Sequence, residues 1–460
     1  MMRFRSNANR SVPQTAASTG VHGPTMAARK PGSGAWYSVW LLLALYVLSF
    51  FGRQIISLMV DPLEKSLGLT EVQMGLLIGF SFTLLFTLGG IVFGWVVDVY
   101  SRRLIILLGT VALSVSCMAC GLADSFQWLF LARMGVGIGE ATLVPAAYSL
   151  LSDLFPRRRL ASAIGVFSFG APLGVALSLG LGGLILDIFS RAQGIQTPLG
   201  HLAAWQAAFV IAGIPAFAAS FLALTLPEAP RPAALREKRS GLAPLLMLFN
   251  ESRVAMATLF AGFSINAFMG YSLMAWAPAF MGRKYGWTPI EIGPAMALAF
   301  GCSGALATLG SGFAADYLWA RGVRGSHFLL ATAALLLAAP FGVFAFLSPS
   351  PWLFLTGISV VYFASALCLN MGATSLQLLT PAELRGRLSG LYLFCTNMVG
   401  AGLGPLVIAT VTQSVLHDRN KLGLAMATVI PVAALSGAIV LSLGRRSYAE
   451  AIENKGTLAG

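Results

Sequence analysis

Twelve apolar runs, each long enough to cross a bilayer as a helix, constrain this chain more than any other feature. A hydrocarbon core of about 30 Å needs about 20 helical residues to cross it. Inside that core only helices and closed barrels satisfy their own backbone polar groups. The runs fall at residues 36–60, 72–97, 104–122, 128–151, 161–186 and 203–226, then at 254–280, 292–315, 328–347, 352–379, 388–414 and 422–443. Barrel strands would instead show alternating segments of about ten residues. Composition agrees with helices. Apolar residues are 57% of the chain and charged ones 10%, where about 25% charged is usual in a soluble domain. The expected fold is an all-α membrane protein of twelve transmembrane helices in two six-helix halves, with both termini cytoplasmic.

The polar stretches divide the chain. Residues 1–35 are expected to be a disordered N-terminal tail, since they lack the apolar centre of a signal peptide. Six-helix bundles are expected over 36–226 and 254–444, a cytoplasmic linker over 227–253 and a C-terminal tail over 445–460. Lys and Arg set the orientation. With the N-terminus inside, fifteen lie on the inner side, whereas the outer loops carry only Lys65, Arg191, Arg283, Lys284, Arg419 and Lys421. The net charge of +13 is therefore a topology signal rather than a nucleic-acid face. The expected setting is the bacterial inner membrane, with the chain an integral, monomeric protein among membrane lipids.

The halves echo each other. Gly94 and Asp98 end the second run, and Gly312 and Asp316 end the eighth; Pro156 and Gly165 recur as Pro381 and Gly390. Parallel six-plus-six repeats are a known transporter plan. Small-xxx-small pairs such as Gly75/Gly79, Gly90/Gly94 and Gly135/Gly139 allow close helix approach. Pro172, inside Gly170–Gly174, frees a carbonyl and permits bending. Cys117, Cys120, Cys302, Cys368 and Cys395 all sit in apolar runs and read as packing residues. No metal or other cofactor is expected.

Ionisable groups inside a span are costly and mark function by default. Away from the span ends there are three: Arg53 in the first, Arg133 and Glu140 in the fourth. Seven residues apart, Arg133 and Glu140 share one helical face. Two arginines against one glutamate point to an anionic substrate, with Glu140 as the group that exchanges protons. The alternative is an arginine–Glu140 pair that merely stitches spans together. The second half offers polar and aromatic candidates instead, Asn266, Tyr271, Tyr362, Asn370, Tyr392 and Asn397, with Gln377 and Thr396 alongside. That asymmetry suits a ligand with a charged head and an apolar body.

Gly94-Trp-Val-Val-Asp98-Val-Tyr-Ser-Arg102-Arg103 resembles the loop signature of the major facilitator superfamily, although Val99 and Ser101 depart from it. Arg133-Met-Gly-Val-Gly-Ile-Gly-Glu140-Ala141, followed by Ser152-Asp153-Leu154-Phe155-Pro156, resembles span four of the Spinster family, and Arg53 also matches. That resemblance implies proton-linked movement of lysophospholipids or sphingosine phosphate. It also implies that Asp98, with Arg102, Arg103 and Asp316, works as a conformational switch, Asp98 latching the outward-open state at the start of span eleven. The family's aspartate before the span-one arginine is Gly52 here, which leaves coupling to Glu140 or abolishes it.

A proton-coupled symporter of small organic anions resembles the chain nearly as well, but its glutamate is followed by glycine rather than Ala141. An uncoupled facilitator is a further alternative. An ATP-driven pump would need a GxxxxGK[ST] loop, and a hydrolase an HExxH or GxSxG string; the chain has none of these. It is expected to be a transporter and not an enzyme.

Overall fold

A computed structural model describes residues 33–197, 200–228, 250–381 and 384–458. Twelve helices among them are long and apolar enough to cross a membrane. Spans 1–6 are Gly34–Leu58, Glu71–Gly94, Arg102–Gly121, Phe126–Leu154, Ser162–Arg191 and Ala204–Thr225. Spans 7–12 are Arg253–Tyr285, Pro289–Ala320, Ser326–Leu347, Pro351–Leu379, Arg385–Val415 and Arg419–Glu453.

The ends differ from the sequence reading. The first helix already begins at Ser33, inside the stretch read as tail. The last runs Leu422–Leu458, through most of the residues read as a C-terminal tail. Polar side chains at an inner helix end project into water and leave the backbone ladder intact, so charge alone did not mark its stop. Most of the tail and of the 227–253 linker lies outside the described residues. Among the described residues, the all-α fold carries one small non-helical feature. Between spans 5 and 6, Ile195–Thr197 pairs antiparallel with Gly200–Leu202 in a small hairpin.

Irregularities in spans 1, 2, 5 and 11 shape the membrane region. Span 1 is α-helical through Gln54 and tightens to a 3-10 turn at Ile55–Leu58. Span 2 carries a π turn at Leu76–Phe80, and span 11 carries two, at Met398–Leu403 and Val411–Val415. Span 5 breaks at Phe169 between the helices Arg157–Ser168 and Gly170–Arg191. Pro172 explains that break, because it has no N–H for the carbonyl of Ser168 four residues earlier. Such departures from the regular ladder free carbonyls that must find partners elsewhere.

The halves meet tightly at their outer ends. A Cβ on Gly183 of span 5 would strike the Pro289 carbonyl of span 8, and one on Gly293 the Leu179 carbonyl. Gly79 of span 2 is equally tight against the Ala401 carbonyl of span 11. These glycines let backbones of opposite halves touch. Toward the inner ends the pattern reverses: Gly90, Gly94, Gly310, Gly312 and Gly390 have open space where a Cβ would stand. Among the described residues the halves press together at their outer ends, while these inner-end glycines face open space.

Candidate transport site

The three in-span charges converge where span 1 changes helix type. Arg53 points toward span 4 and pairs with Glu140, Nη1 to Oε1 at 3.2 Å. The pair is deeply placed, with side-chain exposures of 11% and 1%. Rings surround the guanidinium: Phe82 at 4.2 Å from its centroid, Phe50 at 5.2 Å, Phe86 at 5.6 Å and Tyr271 at 5.9 Å. Each such contact contributes about 0.5–2 kcal/mol. The second carboxylate oxygen of Glu140 is buried and has no hydrogen-bond partner among the described residues.

Arg133 does different work. Its Nε donates to the Leu77 carbonyl at 3.3 Å and its Nη1 to the Arg53 carbonyl at 3.2 Å. Leu77 lies in the π turn of span 2, and Arg53 just before the 3-10 turn of span 1. Arg133 therefore donates to carbonyls at these irregular turns, the one on Leu77 shared with Ser81 Oγ at 2.8 Å, and it holds spans 1, 2 and 4 in register. Ser178 of span 5 adds a bond to the Phe51 carbonyl at 2.9 Å.

Beside Arg53 is a cavity of about 30 Å³, lined also by Gln54, Ser57, Phe82, Thr83 and Tyr271. That is room for about two waters. Ala401 and Pro405 of span 11 bound it, so it lies just beneath the sealed outer end. Tyr271 contributes from the opposite half and donates to Asn397 Oδ1 at 3.2 Å. Gln54, Ser57 and Thr83 escaped the sequence reading because uncharged polar residues are common in spans. Their only signal was adjacency to Arg53 and to the ring pair Phe82/Phe86.

The other second-half candidates are dispersed. Asn266 donates to the Ser365 carbonyl at 3.1 Å, and Asn370 to Ser311 Oγ at 3.2 Å. Tyr362 packs on Phe300 with centroids 4.7 Å apart. Tyr392 is buried edge-on to Phe260. None of these four lines the cavity beside Arg53. At the inner end, Arg102 pairs with Asp153 and bonds Ser149 Oγ at 2.7 Å, while its backbone N–H donates to Glu228 at 3.1 Å. Arg103 reaches the Leu224 carbonyl at 3.3 Å. Asp316 is exposed, and the side chain of Asp98 lies outside the described residues.

Gly52 has a physical explanation. A Cβ there would stand 3.0 Å from Cys117 Sγ of span 3. The thiol fills the space that a larger residue beside Arg53 would need.

Two six-helix halves that meet at their outer ends around a buried charge pair fit the plan of a secondary transporter, which exposes its interior to each side in turn. It belongs to the Major Facilitator Superfamily, which it matches over residues 42–405. It is an integral membrane transporter and not an enzyme. An MFS-type efflux pump of Mycolicibacterium smegmatis is 28% identical over 450 residues, covering 95% of this chain and 98% of that protein. A probable 4-methylmuconolactone transporter of Cupriavidus pinatubonensis is 26% identical over 262 residues, covering 54% of this chain and 58% of the relative. Among solved structures, a bacterial homologue of the human lysosomal transporter Spinster, inward-facing and unoccupied, superposes with a TM-score of 0.75 at 24% identity. That match covers 92% of this chain and 98% of the homologue.

Proposed function

We propose that this transporter moves an anionic amphiphile, a lysophospholipid or sphingosine-phosphate-like lipid, by alternating access coupled to protons through Glu140. The observation that carries the reading is the buried Arg53–Glu140 pair beside a cavity. While Glu140 is ionised it occupies the guanidinium. A proton on Glu140 removes the competing charge and leaves Arg53 free for the anionic group of a substrate. Phe50, Phe82, Phe86 and Tyr271 offer apolar surface next to that charge. Arg133, tied to two carbonyls, is a positioning residue in this scheme. Tyr271 is the second-half residue best placed to sense the substrate. Asn266, Tyr362, Asn370, Tyr392 and Asn397 line the substrate path within the second half in this scheme, and Asp98, Arg102, Arg103 and Asp316 form the inner switch.

A second reading, transport of small organic anions, is favoured by the small volume beside Arg53. The relative described as a probable 4-methylmuconolactone transporter also supports it. Both readings use the same pair and differ in the size of the anion. Uptake of lysophosphatidylglycerol into proteoliposomes under an imposed proton gradient separates them. Saturable, protonophore-sensitive uptake supports the lipid reading. No uptake by folded protein, together with uptake of a small carboxylate in the same vesicles, supports the second.

A further inference from the structure

A second group of buried charges lies on the outer side, away from Arg53 and Glu140. The short helix Val60–Leu67 follows span 1 and ends at Gly68, whose φ of +64° suits glycine and whose N–H bonds the Glu64 carbonyl. Asp61 and Glu64, three residues apart, share a face of that helix. Span 2 then begins at a capping box, Thr70 with Gln73, which places Glu71 in its first turn. Opposite stands Arg283, in the last turn of span 7 of the other half. It bonds Asp61 Oδ1 at 2.8 Å, Glu64 Oε2 at 3.1 Å and Glu71 Oε1. Arg419, at the start of span 12, reaches Asp61 at 3.1 Å and Glu64 at 3.3 Å.

All five of these ion pairs join one half to the other. They cannot survive a movement that opens the outer end. The group holds three carboxylates against two guanidiniums, so one negative charge is in excess. Glu64 and Glu71 are buried, and Glu71 Oε2 has no partner among the described residues. A single proton would balance the group.

We propose that this cluster is a proton-binding latch, with Glu64 as its seat, which takes up a proton as the outer end closes and releases it as that end opens. The groups facing Glu64 are Asp61 on its own helix, Glu71 on span 2, Arg283 on span 7 and Arg419 on span 12. Burial pushes the Glu64 carboxyl up to about 7, Arg283 and Arg419 oppose that rise, and Glu71 and Asp61 reinforce it. The sign follows from linkage. The closed end has the higher proton affinity, because an opened, hydrated Glu64 returns to the ordinary value near 4.5. Acid therefore stabilises the closed outer end, and that added stability is lost as pH rises through about 7. This latch is additional to the role proposed for Glu140 and does not depend on it.

The test reads conformation rather than transport. Spin labels at Ser66→Cys and Asn420→Cys, both exposed and on opposite halves, report the outer-end distance in nanodiscs. The full chain would carry Cys302→Ser and Cys395→Ser to remove the more accessible thiols. The ratio of open to closed populations should fall about thirty-fold from pH 8.5 to 5.5, with a midpoint near 7. Glu64→Gln, a neutral isostere, should remain closed and lose the response. Asp61→Asn removes a neighbouring negative charge and should move the midpoint to lower pH. The wild-type response should persist in Glu140→Gln. A ratio that is flat or rises with acid would overturn the proposal, as would an unchanged response in Glu64→Gln or a response lost in Glu140→Gln.

Discussion

Arg53 and Glu140 stand 87 residues apart in the chain and 3.2 Å apart in the membrane interior. The contact joins span 1 to span 4 within one half. It is therefore compatible with rigid rocking of the two halves, unlike the outer ion pairs, which cross between them. A charge pair that survives the transport cycle mechanically must be broken chemically if Arg53 is to meet a substrate. That requirement makes Glu140 the natural place for a proton.

Breaking the pair from one side should cost stability. Arg53→Met leaves the Glu140 carboxylate buried without its cation, a loss of about 3–5 kcal/mol. Arg53→Met with Glu140→Gln removes both charges and should recover most of it. Thermal unfolding in detergent, run as a double-mutant cycle, measures the difference.

Arg133→Met should behave differently. It removes one donor from each of the Leu77 and Arg53 carbonyls, of which Leu77 keeps Ser81 Oγ, at a total cost of about 1–3 kcal/mol. The folded fraction that remains should bind anions with an unchanged pH profile. A lost profile would place Arg133 in the binding step itself.

Gly52→Asp should destabilise the protein, because a Cβ there stands 3.0 Å from Cys117 Sγ. With Cys117→Ala beside it the cost should fall, since the sulfur is the nearest atom. Unfolding midpoints of the single and double variants check this. Equal losses in both would show that Cys117 is not the obstacle.

The outer seal depends on Gly183 and Gly293. Gly183→Val forces a side chain against the Pro289 backbone, an overpacking cost of about 1–3 kcal/mol on the closed state alone. The open-to-closed ratio should rise by roughly 5- to 150-fold. The outer-end label pair reads it, and an unchanged distance distribution would contradict the packing argument.

Much of this was legible in the sequence. Apolar run length marked all twelve spans, because the bilayer imposes a length that no soluble core does. Arg53, Arg133 and Glu140 stood out because charge is rare at that depth. Their division of labour was hidden, since it depends on the turns at Ile55–Leu58 and Leu76–Phe80, which have no strong composition signal. Arg283 and Arg419 read only as outer-side cations. Their partners Asp61 and Glu64 lie more than 200 residues away, and only the packing of the two halves brings them together.

The most direct test of the Arg53–Glu140 account is binding, measured as a function of pH. Lysophosphatidylglycerol is a suitable probe because its phosphodiester stays ionised throughout. Its affinity for the purified protein should rise at least about tenfold, roughly 1.4 kcal/mol, as pH falls from 8 to 5.5. Glu140→Gln should bind tightly at both values, and Arg53→Ala weakly at both. The same pH dependence in Glu140→Gln as in the wild type, or undiminished binding in Arg53→Ala, would contradict the account.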